Sequence, residues 1–140
     1  MILYLDTSAL VKLYVEEPGS QEVRREVEES RIVSTSRVAY VEARAGIARK
    51  YRDGEFSRED HKQVVEDLIR DWDNYFIVEV SESVARLGGT LTETQSLRGF
   101  DAIHLASALL LRNRTRLEVS FSCFDEQLQS AAKAEGLTVR

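Results

Sequence analysis

The stretch that decides the fold is ILYLDTSALVKLY, from Ile2 to Tyr14. Ile2 to Leu5 is a run of apolar and aromatic residues short enough to be one buried strand. It ends on a carboxylate, Asp6, followed by Thr7, Ser8 and a helical pattern. A charge at the end of a buried strand needs a partner. Asp before a helix is a common N-cap, so capping alone explains Asp6 until other acids are found to join it.

The same alternation continues to the far end of the chain. Strand patterns occur at Ile2 to Leu5, Ile32-Val33, Phe76 to Val80, Leu117 to Phe121 and Leu137 to Val139. Helical patterns fill Ser8 to Val15, Gln21 to Glu29, Arg37 to Arg52, Arg58 to Asn74, Glu82 to Ser96, Asp101 to Arg112 and Asp125 to Glu135. Strands alternating with helices predict an α/β fold with a mainly parallel sheet covered on both faces. The helix pair Arg37 to Asn74, broken at Asp53-Gly54, predicts a helical hairpin inserted between two strands. With 140 residues and no linker or low-complexity stretch, a single domain over 1-140 is expected.

Composition narrows the class. Hydrophobic residues at 43% and charged ones at 31% specify a globular chain. Cys123 is the only cysteine, which excludes an internal disulfide and a multi-cysteine zinc site and leaves a packing role as its expected one. No apolar run approaches the roughly 20 residues that span a bilayer, so a soluble, cytoplasmic protein is expected. Nineteen basic against 24 acidic side chains give a net charge of −5, which argues against nucleic-acid binding by the whole surface. The clusters Arg44, Arg49, Lys50, Arg52 and Arg112, Arg114, Arg116 read as solvated helix ends or a local basic rim.

In parallel α/β sheets, ligands bind beyond the carboxyl ends of the strands. Three more acids are candidates for such a site. In TSRVAYVEARAGIARKY, the stripe Val38, Val41, Ala45 and Ala48 is the expected buried face, and at about 100° per residue Glu42 lies roughly 80° from its centre. Taken alone, it is a boundary residue paired with Arg49 or Lys50. Asp101 opens the very apolar helix of FDAIHLASALLL, where His104 is expected to pack and hydrogen-bond locally. Asp125, in CFDEQLQ, follows a strand and precedes a helix, repeating the layout of Asp6. Capping and the helix dipole explain most of these acids separately, but four on one such scaffold suggest a shared site.

LDTSALVKLY, the Glu of YVEAR, FDAIHLASAL and FDEQLQSAAKAEGL together resemble the motifs of PIN-domain ribonucleases, in particular the VapC toxins of type II toxin-antitoxin pairs. The resemblance runs from Ile2 to Val139. It implies a three-layer PIN-like α/β/α fold, with Asp6, Glu42, Asp101 and Asp125 as an acidic quartet and Ser8 as a supporting hydroxyl. Cys123 stands where a short polar residue is frequent in that family. The resemblance also implies endoribonuclease chemistry that leaves a 5′-phosphate and a 3′-hydroxyl. Expected partners are the RNA substrate, a VapB-like antitoxin and a second copy in a homodimer, with no membrane. Crowded carboxylates need a counter-charge, and Mg2+, or Mn2+ as a substitute, suits an all-oxygen site without clustered histidines or thiolates.

The rival readings fare less well. A haloacid-dehalogenase-type phosphotransferase needs a second acid where Ser8 stands, and a receiver domain needs adjacent N-terminal acids. The remaining alternative is a catalytically weak PIN-fold module that binds RNA or protein. The helices around Val11, Leu13, Tyr14 and Val15 and around Ile47 and Tyr51 are the candidate partner surfaces.

Overall fold

Ile2–Leu5 forms β1, whose four side chains are all buried. The pleat sends alternate residues to opposite faces, so Ile2 and Tyr4 enter one hydrophobic core while Leu3 and Leu5 enter another. A strand buried on both faces belongs at the centre of a sheet. The structure, a computed structural model that describes residues 1–140, places it there.

After β1 come α1 (Thr7–Lys12), α2 (Ser20–Glu29), β2 (Ile32–Ser36), α3 (Val38–Arg52), α4 (Arg58–Trp72) and β3 (Phe76–Val78). They are followed by α5 (Glu82–Thr94), α6 (Gly99–Thr115), β4 (Val119–Ser122), α7 (Glu126–Ala134) and β5 (Thr138–Val139). The sheet order is β3-β2-β1-β4-β5, and every pairing is parallel. The chain moves outward from β1 to β3 on one side, then returns to build β4 and β5 on the other. The order therefore reverses between β1 and β4, which puts the ligand-binding end of the sheet just beyond Leu5 and Ser122. Beyond the strands the ladder gains one more bond, from the Asp6 amide to the Ser122 carbonyl at 3.2 Å. α5, α6 and α7 cover the Ile2/Tyr4 face and α1 to α4 the other, giving the expected three-layer α/β/α arrangement. The α3–α4 hairpin turns at Asp53-Gly54, where Gly54 takes φ +77°. No helix is long and apolar enough to cross a membrane.

Several local expectations are corrected. β2 runs on through Ser34, Thr35 and Ser36, all buried, although Ser-Thr-Ser resembles a loop. The strand tolerates them because the Thr35 hydroxyl donates to the Leu5 carbonyl (2.7 Å) and the Ser34 hydroxyl to the Phe76 carbonyl (2.7 Å). The buried face of α3 is Ala39, Ala43 and Ile47, not the stripe through Val38, Val41, Ala45 and Ala48. Small residues occupy the contact with α1 because the two helices approach closely, while Val41 is 69% exposed. The partner surfaces expected around Val11, Val15 and Ile47 are core, with Leu13 and Tyr14 packed against it. Tyr51 stacks on His61, with ring centroids 4.5 Å apart. Arg112 and Arg114 lie in the last turn of α6, at the opposite end of that helix from Asp101.

The corrected face of α3 yields a direct test. Ile47→Ala should cost about 3 kcal/mol of unfolding free energy, the usual loss for truncating a fully buried aliphatic side chain. Val41→Ser should stay within about 0.5 kcal/mol. Chemical denaturation of both variants measures this, and a reversed ranking would restore the stripe through Val41.

Candidate active site

Two of the four acids are caps by geometry. Asp6 is the N-cap of α1, its Oδ1 accepting from the Ala9 amide at 2.9 Å and from the Ser8 hydroxyl at 2.8 Å. Asp125 is the N-cap of α7, its Oδ1 accepting from the Leu128 amide at 2.9 Å. In each case a strand delivers the acid to the switch-point end of the sheet and a helix start fixes one of its oxygens. Asp101 sits in the first turn of α6 and makes no side-chain hydrogen bond. Glu42 comes from the second turn of α3. The four acids line one cleft of about 430 Å³, together with Thr7, Ser8, His104 and Phe124. A second groove of about 590 Å³ continues from Glu42 and Asp101 past Arg98, Phe100 and Ile103.

Glu42 is held in a way the sequence did not reveal. Its partner is neither Arg49 nor Lys50. The Thr7 hydroxyl donates to Glu42 Oε1 at 2.5 Å, and His104 Nε2 lies 3.1 Å from the same oxygen. Lys50 pairs instead with Glu17 and Glu55. His104 is buried, and its Nδ1 lies 2.8 Å from the Tyr4 hydroxyl. Burial pushes the Tyr4 phenol well above its ordinary pKa, so it stays protonated. His104 Nε2 also lies 3.1 Å from the Thr7 hydroxyl. His104 does pack and hydrogen-bond as expected, but with β1, α1 and α3 and not locally. Thr7, His104 and Tyr4 thus belong to the site. The i+3 spacing of Asp101 and His104 on one helix was the only signal for them in the sequence.

Electrostatics separate the acids. Burial raises the pKa of Asp6, which is only 5% exposed, and Asp101 raises it further, against the effects of His104, the Ala9 amide and the Ser8 hydroxyl. Asp101 is raised by burial, then by Asp125 and Glu42, with His104 and Arg98 opposing. Burial also works to raise Glu42. The hydrogen bonds from His104 and Thr7, with the charge of His104, outweigh it and hold Glu42 below the usual carboxylate range. Cys123 is packed in the core, and burial pushes its thiol up, so it stays protonated and is no nucleophile.

The hydrogen bonds leave a pattern. Asp6, Glu42 and Asp125 each commit one named oxygen to the fold, and the hydrogen bonds described leave Asp6 Oδ2, Glu42 Oε2 and Asp125 Oδ2 without a protein partner. None of these free oxygens is sealed from solvent. Such all-oxygen donors fit a hard divalent cation. No three of the His, Cys, Asp and Glu side chains converge tightly enough to enclose an ion on their own.

Comparison with known proteins identifies the family. The PIN domain family model matches residues 3–134. The chain is 32% identical over 142 residues to Ribonuclease VapC49 of Mycobacterium tuberculosis (strain ATCC 25618 / H37Rv), covering 99% of this chain and 94% of that protein. Its fold is similar to that of Mycobacterium tuberculosis VapC20, a sarcin-ricin loop cleaving toxin, with a TM-score of 0.67, 14% identity, and 97% and 96% of the two chains covered. It is also similar to a chain of a toxin-antitoxin complex from Klebsiella pneumoniae, with a TM-score of 0.62, 23% identity, and 84% and 83% covered. With the family model spanning nearly the whole chain and the curated relative matching end to end, this chain belongs to the PIN-domain family, in its VapC ribonuclease group.

Proposed function

We propose that the protein is a metal-dependent endoribonuclease, the toxin of a toxin-antitoxin pair, that hydrolyses RNA phosphodiesters at Asp6, Glu42, Asp101 and Asp125. The observation that carries this reading is the set of free carboxylate oxygens facing one cleft, three of them on side chains whose other oxygen is already fixed. Asp6 and Asp101 are the principal residues to hold Mg2+ or Mn2+, with Asp125 as an outer residue. The ion, when bound, would offset the charge that builds on the phosphate and lower the pKa of attacking water.

The remaining steps belong to the chain. Glu42 stays ionised, so its free Oε2 can orient a water and accept its proton as the water oxygen attacks phosphorus. The bond from phosphorus to the 3′ oxygen breaks, and that oxygen takes up a proton from solvent, leaving a 3′-hydroxyl and a 5′-phosphate. Thr7 and His104 keep the Glu42 carboxylate from rotating, and Ser8 does the same for Asp6. Asp6→Asn and Asp101→Asn should each abolish magnesium-dependent cleavage of RNA while circular dichroism remains native. Glu42→Gln should lower kcat by about 10²- to 10⁴-fold. Full activity in either Asn variant, or undiminished cleavage in excess chelator, contradicts the mechanism.

Stability without metal gives an independent readout. Because the folded-state pKa of Asp101 is raised, its contribution to stability is present at low pH and is lost as pH rises through that folded value. Asp101→Asn removes the loss. Its Tm should match that of the wild type near about pH 3 and exceed it by a growing margin toward about pH 7, with added magnesium narrowing the gap. A constant difference across that range would show that the Asp101 pKa is not raised in the folded protein.

A nuclease of cellular RNA must be restrained in the cell that makes it. The partner we propose is a VapB-like antitoxin that places an arginine in the acidic cleft, its planar fork suited to a carboxylate, on a toxin that is itself a homodimer. Inhibition by the antitoxin should then weaken as magnesium rises. Inhibition independent of magnesium, measured with the co-expressed pair, would place the contact elsewhere.

A further inference from the structure

The dipeptide Phe-Asp occurs at both Phe100-Asp101 and Phe124-Asp125, so an exposed phenyl ring directly precedes two of the four acids. Phe100 is 55% exposed and Phe124 40% exposed, and neither joins a hydrophobic core. They stand at the two ends of one continuous trough. Phe124 lines the acidic cleft, Phe100 lines the adjoining groove, and Glu42 and Asp101 are common to both.

Each ring has a cation beside it. Lys12 Nζ lies 4.5 Å from the centroid of Phe124, covering one face of the ring, and is ion-paired with Glu17 at 2.9 Å, so on this side the ring and not the cation is what the site offers. The edge of the same ring rests on Gly19, where an added Cβ would sit 2.6 Å from Cε1, while the residue as a whole remains 40% exposed. Arg98 lines the groove beside Phe100 and forms no ion pair, with Asp101 the acid it influences. Flat apolar faces beside positive charges, at both ends of an acidic centre, match the chemistry of a single nucleic-acid strand. Bases stack on aromatic rings while cations meet the phosphates.

We propose that Phe100 and Phe124 are base-stacking platforms flanking the scissile phosphate, with Arg98 holding a phosphate on the Phe100 side. The substrate is then single-stranded or looped RNA with an unstacked base on each side of the cut. A paired base inside an A-form duplex cannot offer its face to a ring. The proposal rests on the ribonuclease reading for the position of the scissile phosphate, but the rings can be tested without turnover.

The test uses the purified full chain and a single-stranded RNA of about twelve nucleotides carrying 2-aminopurine, with calcium in place of magnesium. Stacking on a ring quenches 2-aminopurine emission. Wild type should bind and quench. Phe100→Leu should weaken binding about tenfold, the scale of one lost base–aromatic stack, and remove the quenching at probe positions that contact that ring. Phe100→Tyr should keep both properties. In cleavage assays with magnesium, Phe100→Leu should raise KM and leave kcat within about twofold. Phe124→Leu should affect a different probe position. Unchanged affinity and quenching in the double Leu variant would overturn the proposal and make the rings a protein-contact surface. Equal affinity for a blunt duplex of the same length would overturn it too. Quenched binding by a wild type that cleaves no RNA with magnesium or manganese would support the platforms while refuting the ribonuclease reading.

Discussion

Like-charge repulsion among carboxylates in one cleft of about 430 Å³ is the constraint on which the site depends. Asp6 and Asp101 are pushed above the ordinary carboxylate pKa, each by burial first and by other acids besides. A fold would not hold such a cluster together unless the backbone gave it no alternative. Here the backbone does so through its own requirements. The helices α1 and α7 need caps, the strands β1 and β4 end side by side, and Asp6 and Asp125 meet both demands with one oxygen each. Each side chain caps a helix with one oxygen and leaves the other free toward the cleft.

Glu42 is secured by a different device. Tyr4 on β1, His104 on α6 and Glu42 on α3 form one hydrogen-bonded chain that passes from the core to the cleft. Tyr4 also stacks on Phe121, with centroids 5.5 Å apart, so the buried end is fixed by packing. Buried polar groups are tolerated when every member is satisfied, and the rigidity gained is passed to the carboxylate at the exposed end. Burial acts to raise Asp6, Glu42 and Asp101 alike, and Glu42 escapes because it alone is bonded by both Thr7 and His104. Glu42 is thereby left ionised beside two acids that gain protons more readily.

Most of this fold was legible in the chain because alternating strand and helix patterns report local periodicity, and β1, the α3–α4 hairpin and the strand-end acids are local features. The misreadings have a common cause. Ser34, Thr35 and Ser36 look like a loop until Leu5 and Phe76 supply carbonyl acceptors from neighbouring strands. The buried face of α3 was misassigned because valine outranks alanine in hydrophobicity, whereas close contact with α1 demanded small side chains. His104 lies 62 residues from Glu42 and 100 from Tyr4, so no window of sequence could pair them. The acids and the Ser8 hydroxyl were legible by type and position, but the bonds that Thr7 and His104 make to Glu42 were not.

The central claim is that free carboxylate oxygens from Asp6, Glu42, Asp101 and Asp125 together hold a divalent cation. Anomalous scattering from crystals soaked in manganese tests it most directly. The account predicts a manganese peak in the cleft within coordination distance of Asp6 and Asp101, absent in crystals of Asp101→Asn. A peak confined to surface acids elsewhere, or an empty cleft at a manganese concentration that supports cleavage, would contradict it.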